Sequence, residues 1–571
     1  NRKLNREESL VLRKAGLHVP GVALLGLLWA VNPIPALSQG NGSFALTGQV
    51  SSQQQGTMEG VLISAKKAGS NITVTVVSDE YGRYQFPSNT LSPGRYSLGI
   101  RATGYDLDGT AVVTIMRGKA TQANLKLRKT TDLAAQLTNW EWLASFPGTK
   151  EQKTAAARCT HCHTLERVAR SHYNADEFVP LIDRMLAYPA SSFPLMPQPR
   201  SVNRRGGGPM TPERLAQNQK ERHELAEYLS TINLSSNPEW KYSFETLPRP
   251  KGRATKVVVT EYDLPKPTRQ PHDVVVAPDG MVWYASFGEQ ILGKLDPKTG
   301  KITEYKAPMP KPDQGTGTLA LRCDKEGNLW MGMISQGAIA EFNPKTEKFQ
   351  TWKLPADMDA DYREFNNIAT ANHDVDGKVW IIDSGTWYIF RLDLASGKFE
   401  TFEPFPMPRP NIYDIASDPH NNAYFTVFGD DRIGRIDAKT GEIKFFKTPT
   451  PRSGPRRDNI DAQGRLWFGE NRGDKIGMLD PETGTIREWP APTPGYFPYS
   501  VAGDKNSNAW ATTEYTDRVW RLDSKTGESV EYLLPRHTNM RSAFVDDSTT
   551  PVTFWVGNNH GASIVKIEPL Q

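Results

Sequence analysis

An aromatic residue returns along the second half of this chain at Trp283, Trp330, Trp380, Tyr424, Trp467, Trp510 and Trp555, at intervals of 43 to 50 residues. A Gly or Asn commonly stands two or three places before it, as in Asp279-Gly280 and Gly327-Asn328. About ten to fifteen places after it comes a second turn, Asp296-Pro297-Lys298-Thr299-Gly300 in the first unit and Asp480 to Gly484 in the fifth. Asp caps such a hairpin with its side chain and Gly supplies the left-handed residue. A period near 45 with four short strands per unit specifies a β-propeller, and seven aromatics specify seven blades over 254–571. The strand Lys256 to Tyr262 precedes the first unit but resembles the outer strand of the others, so it is expected to complete the last blade and close the ring. The Trp residues then pack between blades.

A second feature is independent of the repeat. Cys159-Thr160-His161-Cys162-His163 reads C-x-x-C-H, the attachment signature of a covalent c-type haem. Two thiols reach the two vinyl groups of one porphyrin, and His163 supplies an axial nitrogen to the iron. The third cysteine, Cys323, lies far away and reads as a small buried residue. Around the motif, over 133–234, the periodicity is helical, and Leu225, Tyr228 and Leu229 form one face. For the sixth ligand, Met196 in Leu195-Met196-Pro197 ranks first, with Met210, Met185 and His172 open as alternatives.

Residues 43–128 alternate in short strands with turns every eight to twelve residues, as a small β-sandwich requires. The fold class expected is therefore multidomain and mainly β: a sandwich, a helical haem domain and a seven-bladed propeller. Ahead of these, Arg13 and Lys14 precede an apolar run from Val22 to Val31, and Ala36-Leu37-Ser38 follows, so 1–38 reads as an export signal. Export to the periplasm or beyond agrees with haem attachment, and a membrane is involved only if the signal is uncleaved. A formal net charge of +4 with 23% charged residues gives no reason to expect a nucleic acid.

Three resemblances sharpen these expectations. Residues 43–128 resemble carboxypeptidase regulatory-like domains through Asp79-Glu80-Tyr81-Gly82-Arg83-Tyr84, Pro93-Gly94-Arg95-Tyr96 and Gly104-Tyr105. The family is non-catalytic and implies a spacer or docking module. The closing helix Glu224-Leu225-Ala226-Glu227-Tyr228-Leu229 looks like the last helix of class I cytochromes c, which packs on the N-terminal helix and a haem edge. From about Ala254 onward, Leu466-Trp467-Phe468-Gly469-Glu470-Asn471, Asp474-Lys475-Ile476-Gly477 and Arg432-Ile433-Gly434-Arg435-Ile436-Asp437 resemble streptogramin B (virginiamycin B) lyases.

The lyase resemblance implies elimination on a cyclic depsipeptide, with a general-base His and a Mg²⁺ held partly by glutamates. His272 in Gln270-Pro271-His272-Asp273 takes the place of that base, but Gln270 replaces the Glu of E-P-H-G. Glu514 lies four past Trp510, on a blade that carries Phe497-Pro498-Tyr499 instead of the His. The residues entering the innermost strands converge on one mouth of the channel: His272, Asp273, Asn366, Asn367, Asp414, Arg457, Asp458, Tyr499 and Arg541. Asp383, Glu470 and Glu514 are expected to approach it, and a Mg²⁺ or Ca²⁺ ion is a candidate ligand there. His420, His537 and His560 read as loop residues. The leading expectation is an exported haem c oxidoreductase or electron carrier whose propeller binds a redox partner protein or small substrate. The alternatives are a carbon–oxygen lyase and a binding module without chemistry.

Overall fold

The computed structural model describes residues 44–189, 191–198, 211–235, 239–360 and 363–570. The expected signal segment and Met210 lie outside the described residues.

Seven antiparallel blades surround one channel. The first runs Pro271–Val276, Val282–Ser286, Ile291–Leu295 and Ile302–Lys306, and its neighbours repeat the pattern. Each repeating aromatic sits on the second strand of its blade, and each is buried. It packs within the blade and also across to the next one. Trp330 stacks on Trp352 of its own blade at 5.4 Å, and Trp510 stacks on Phe554 of the next at 5.4 Å. The indole NH of Trp380 reaches across to Asn421 O at 2.9 Å. The Asp-to-Gly turns close as their residue types require. In the first blade Lys298 N donates to Asp296 Oδ1 at 2.9 Å, and Gly300 takes φ +75°.

Val257–Asp263 pairs with Ser563–Pro569 as the outermost strand of blade seven, which joins the two ends of the propeller. The pairing does not stop there. Ile72–Val77 of the N-terminal sandwich adds antiparallel to the free side of Val257–Asp263, with Val76 opposite Val258. Blade seven and half of the sandwich are thus one eight-stranded sheet. The sandwich is built into the propeller wall, and Arg101 reinforces the junction with Asp517 at 2.7 Å.

Among the described residues, five helices lie between sandwich and propeller along the chain: α1 (Asn139–Ser145), α2 (Lys150–Ala157), α3 (Leu165–Ala169), α4 (Ala175–Leu186) and α5 (Pro212–Ile232). Thr138 and Glu141 form a capping box that starts α1, and Glu141 Oε1 also accepts from Leu247 N at 2.7 Å. On α5, Tyr228 and Leu229 are buried with Ala226 and Ile232. The apolar cluster beneath these helices takes in Tyr515 of the propeller, so the helical part shares its core with blade six. Among the described residues no helix is long and apolar enough to cross a membrane.

Candidate functional site

Five of the seven inner strands carry a register shift near their start: Pro271/Asp273, Leu319/Arg322, Phe365/Asn367, Ile412/Ile415 and Pro455/Asp458. A bulge of this kind breaks the alternation of side chains and re-aims residues at a rim. It explains why neighbours such as His272 and Asp273, or Arg456 and Arg457, take part in one network.

That network begins with His272, which is 1% exposed. Its Nδ1 donates to Asp273 Oδ2 at 2.8 Å, and its Nε2 accepts from the Tyr499 hydroxyl at 3.2 Å. Tyr413 OH donates to Tyr499 OH at 2.9 Å. Burial pushes the His272 pKa down to about 4 against the pull of Asp273, so the ring is neutral at neutral pH. Burial alone would raise Asp273, but Arg457 and His272 outweigh it and hold the carboxyl well below the usual range. Arg457 Nη1 lies 3.3 Å from Asp273 Oδ1 and 3.7 Å from Asp414 Oδ2. The second carboxylate is thereby placed beside the first, and Asp458 N approaches Asp414 Oδ2 at 3.4 Å. Asn367 donates to Tyr413 O, and Asn366 is buried on the same strand.

Of the three acidic residues expected past the aromatics, Glu514 is the one that joins this network. Its Oε1 is 2.6 Å from Arg541 Nη1 and its Oε2 accepts from Arg456 Nη1 at 2.7 Å. Asp383 is held instead by Arg363 at 2.7 Å and Thr386, while Glu470 is buried beside Glu488 and Lys475. Burial raises the Glu470 pKa to about 9. Arg456 and Tyr413 were not singled out by sequence, although each is the neighbour of a residue that was. Arg456 covers the Tyr499 ring at 3.9 Å, and Arg541 stands 5.2 Å from it. One group among the described residues, Asp324, Glu326 and His373, has ligand atoms within 4.8 Å of one another, but the Asp324 carboxylate already serves Asn328 and Trp330.

The C-x-x-C-H stretch sits against this mouth. A 3₁₀ turn, Arg158–His161, extends α2 into it. Cys159 and Cys162 are free thiols, half-buried, and His163 is half-buried with Nδ1 3.0 Å from Thr164 O. Burial pushes the Cys159 thiol up to about 11 and raises Cys162 as well, so both are protonated. Propeller side chains grip the backbone of the turn. Asn539 Nδ2 donates to Thr160 O at 3.3 Å, Arg541 Nη2 to His161 O at 3.1 Å, and His560 Nε2 stands 3.3 Å from the same carbonyl. His560 is therefore a contact of this segment and not a bystander in a loop, and His537 is held by Asp517 at 3.0 Å. His420 is exposed.

Met196 lies elsewhere on the mouth. It closes a turn with Phe193, and the chain on either side of that turn is fastened to the first blade. Gln270 Nε2 donates to Ser191 O at 3.1 Å, and Gln198 Nε2 to Gly288 O at 2.6 Å. The Gln that replaces the expected Glu thus holds this loop. Met185 is exposed on α4, and His172 Nδ1 is 3.1 Å from Leu234 O. Cys323 is half-buried, with its thiol 3.6 Å from Asp324 O and pushed up to about 12 by burial, which makes it a poor nucleophile.

Comparison with known proteins agrees with the β architecture. Residues 309–570 match the virginiamycin B lyase family, and residues 45–128 match the carboxypeptidase regulatory-like domain. The first match spans blades two to seven. Among solved structures, virginiamycin B lyase from Staphylococcus aureus is 25% identical, covering 55% of this chain and 100% of its own, with a TM-score of 0.48. A streptogramin B lyase is 24% identical over 56% of this chain and 100% of its own, with a TM-score of 0.49. The extracellular domain of a hybrid two-component system from B. thetaiotaomicron is 17% identical over 53% and 40%, with a TM-score of 0.40. No curated protein matches the chain. The chain is thus a mainly β, multidomain protein that carries a carboxypeptidase regulatory-like domain and a virginiamycin B lyase-like β-propeller.

Proposed function

We propose that the propeller works as a binding scaffold and not as a depsipeptide lyase. The observation behind this is the state of His272: one ring nitrogen is engaged by Asp273 and the other by Tyr499, and the ring is buried. A general base needs a free nitrogen within hydrogen-bond reach of a substrate proton. The carboxylates a Mg²⁺ ion would need are committed too, Glu514 to two arginines and Asp383 to Arg363. The test is incubation of the purified protein with a streptogramin B-type cyclic depsipeptide and Mg²⁺. No ring opening is expected, and Mg²⁺-dependent opening that disappears in His272→Ala would overturn the reading.

A second reading, compatible with the first, concerns what the scaffold holds. Cys159, Cys162 and His163 suit a covalent haem c: two free thiols and an imidazole share one turn beside an apolar cluster that includes Leu165, Ala169 and Phe178. Close by, on blade seven, the buried Asn559 amide has no partner for either of its polar atoms, as a site built for a further group leaves it. Haem, when bound, supplies an iron that takes up and returns one electron. In this reading Cys159 and Cys162 would tether it, His163 would ligate its iron, Met196 would be the expected further ligand, and the helices would form a class I-like cytochrome unit. The propeller positions that unit through Asn539, Arg541 and His560 and offers its outer surface to a redox partner or substrate. Export, read from the N-terminal pattern, fits the compartment where such attachment happens. The test is the pyridine haemochrome spectrum of protein made in a host that exports it and matures cytochromes c. A c-type band is expected, and colourless protein would overturn this reading while leaving the scaffold intact.

A further inference from the structure

Beneath the Cys159–His163 turn the propeller buries three charges that do not cancel. Glu514 is 1% exposed and bridges two guanidiniums, Arg541 at 2.6 Å and Arg456 at 2.7 Å. Both arginines are buried. One carboxylate against two guanidiniums leaves a unit positive charge. The neighbouring charges balance among themselves: Arg457 lies between Asp273 and Asp414, Arg322 stands 3.6 Å from Asp414, His272 is neutral, and burial beside Asp414 pushes the Asp458 carboxyl up towards its neutral form.

The triad is tied to the turn at two points. Arg541 Nη2 donates to the carbonyl of His161, one of the two residues between the cysteines. Glu514 O accepts from Asn139 Nδ2 at 3.0 Å, and Asn139 Oδ1 in turn accepts from Leu165 N at 2.9 Å, two residues past His163. A charge fixed in the interior acts more strongly than one in water and needs no reorganisation when an electron arrives. Taking the haem reading of Cys159, Cys162 and His163 as its base, we propose that the Arg456–Glu514–Arg541 triad of the propeller sets the reduction potential of the group held there. Its net positive charge favours the reduced form, so the β domain tunes a redox centre carried by the helical one.

The test is a spectroelectrochemical titration of the haem-loaded full chain. Glu514→Gln leaves two positive charges and is expected to raise the midpoint potential, whereas Arg541→Gln leaves none and is expected to lower it. A merely structural disturbance has no reason to move the two in opposite directions. Removing one member of a buried ion pair can itself prevent folding. The double variant E514Q/R541Q, which retains Arg456 alone, and the charge-conserving Arg541→Lys therefore complete the set. Both are expected to stay near the wild-type potential. Shifts of the same sign in the two single variants, no shift in either, or a displaced potential in Arg541→Lys would overturn the proposal with the haem reading intact. Wild-type protein without a haemochrome band would overturn both.

Discussion

The His272 site and the Cys159–His163 site share one mouth of the propeller, yet their polar atoms are in opposite conditions. At His272 both ring nitrogens are bonded and the adjoining carboxylate is paired with Arg457. At Cys159–His163 the two thiols form no disulfide, the segment's backbone is gripped, and the His163 ring is engaged through Nδ1 by its neighbour's carbonyl. A constellation with every valence satisfied from within stiffens a fold, because each broken bond leaves a buried polar group exposed to apolar surroundings. On the haem reading, a constellation held by its backbone, with both thiols outside any disulfide, waits for a group from outside. The lyase resemblance of the sequence makes the first site the expected place of chemistry, whereas the haem reading proposed above rests on the second.

The largest effect that would break this contrast is all-or-none. On the haem reading, replacing Cys159 and Cys162 together by Ser is expected to abolish covalent attachment entirely, seen as loss of the haemochrome band, with little change in far-UV circular dichroism. Retained colour after both changes would remove the contrast at its reactive end.

The opposite end is tested by stability. Arg457 is 1% exposed and lies between Asp273 and Asp414. Arg457→Met leaves two buried carboxylates facing each other, and truncating one partner of such an arrangement costs about 3–5 kcal/mol. The expected readout is an earlier denaturation midpoint in urea, followed by tryptophan fluorescence. A neutral substitution would show that the His272 network is not structural.

The architecture was far more legible in the sequence than this network was. Aromatics from Trp283 to Trp555 mark the second strand of each blade because a buried ring is needed at each inter-blade seam, and one residue type in one place survives any local variation. The closing strand was legible for the same reason. The fusion of sandwich and propeller was not. Ile72–Val77 has a run of buried residues on both faces, and such a strand does not tell from sequence whether its neighbour belongs to its own domain. The mouth was half legible. Counting by twos finds His272 or Tyr499, but bulges such as Pro455/Asp458 bring in Arg456 beside Arg457, and no periodicity encodes that. Nor does sequence show that Glu470, three places past Trp467, turns away while Glu514 turns in.

A pH profile sharpens the comparison at His272 with a smaller effect. The ring is neutral in the fold with its pKa lowered by burial to about 4, whereas in the unfolded chain it titrates near 6.5. Below the unfolded value the unfolded chain binds the proton first. Stability from this group is thus present above pH 6.5 and is lost as pH falls towards 4, by up to ~3 kcal/mol. His272→Gln should flatten that part of the urea-midpoint profile, measured between pH 7 and 4. An unchanged slope would mean that His272 is not held neutral by the fold.

The smallest expected effect is the most discriminating between the two sites. The Tyr413 hydroxyl donates to Tyr499 OH at 2.9 Å, which passes its own proton towards His272 Nε2. Tyr413→Phe removes one donor from the end of this chain and leaves Tyr499 still able to donate. A lost hydrogen bond of this kind costs ~0.5–1.5 kcal/mol. The same change leaves the carbonyls of Thr160 and His161 with their donors Asn539 and Arg541. A modest drop in urea midpoint with unaltered haem content is therefore expected. If Tyr413→Phe depleted the haem as well, the mouth would be one cooperative site, and the separation between a filled constellation and a waiting one would have to be given up.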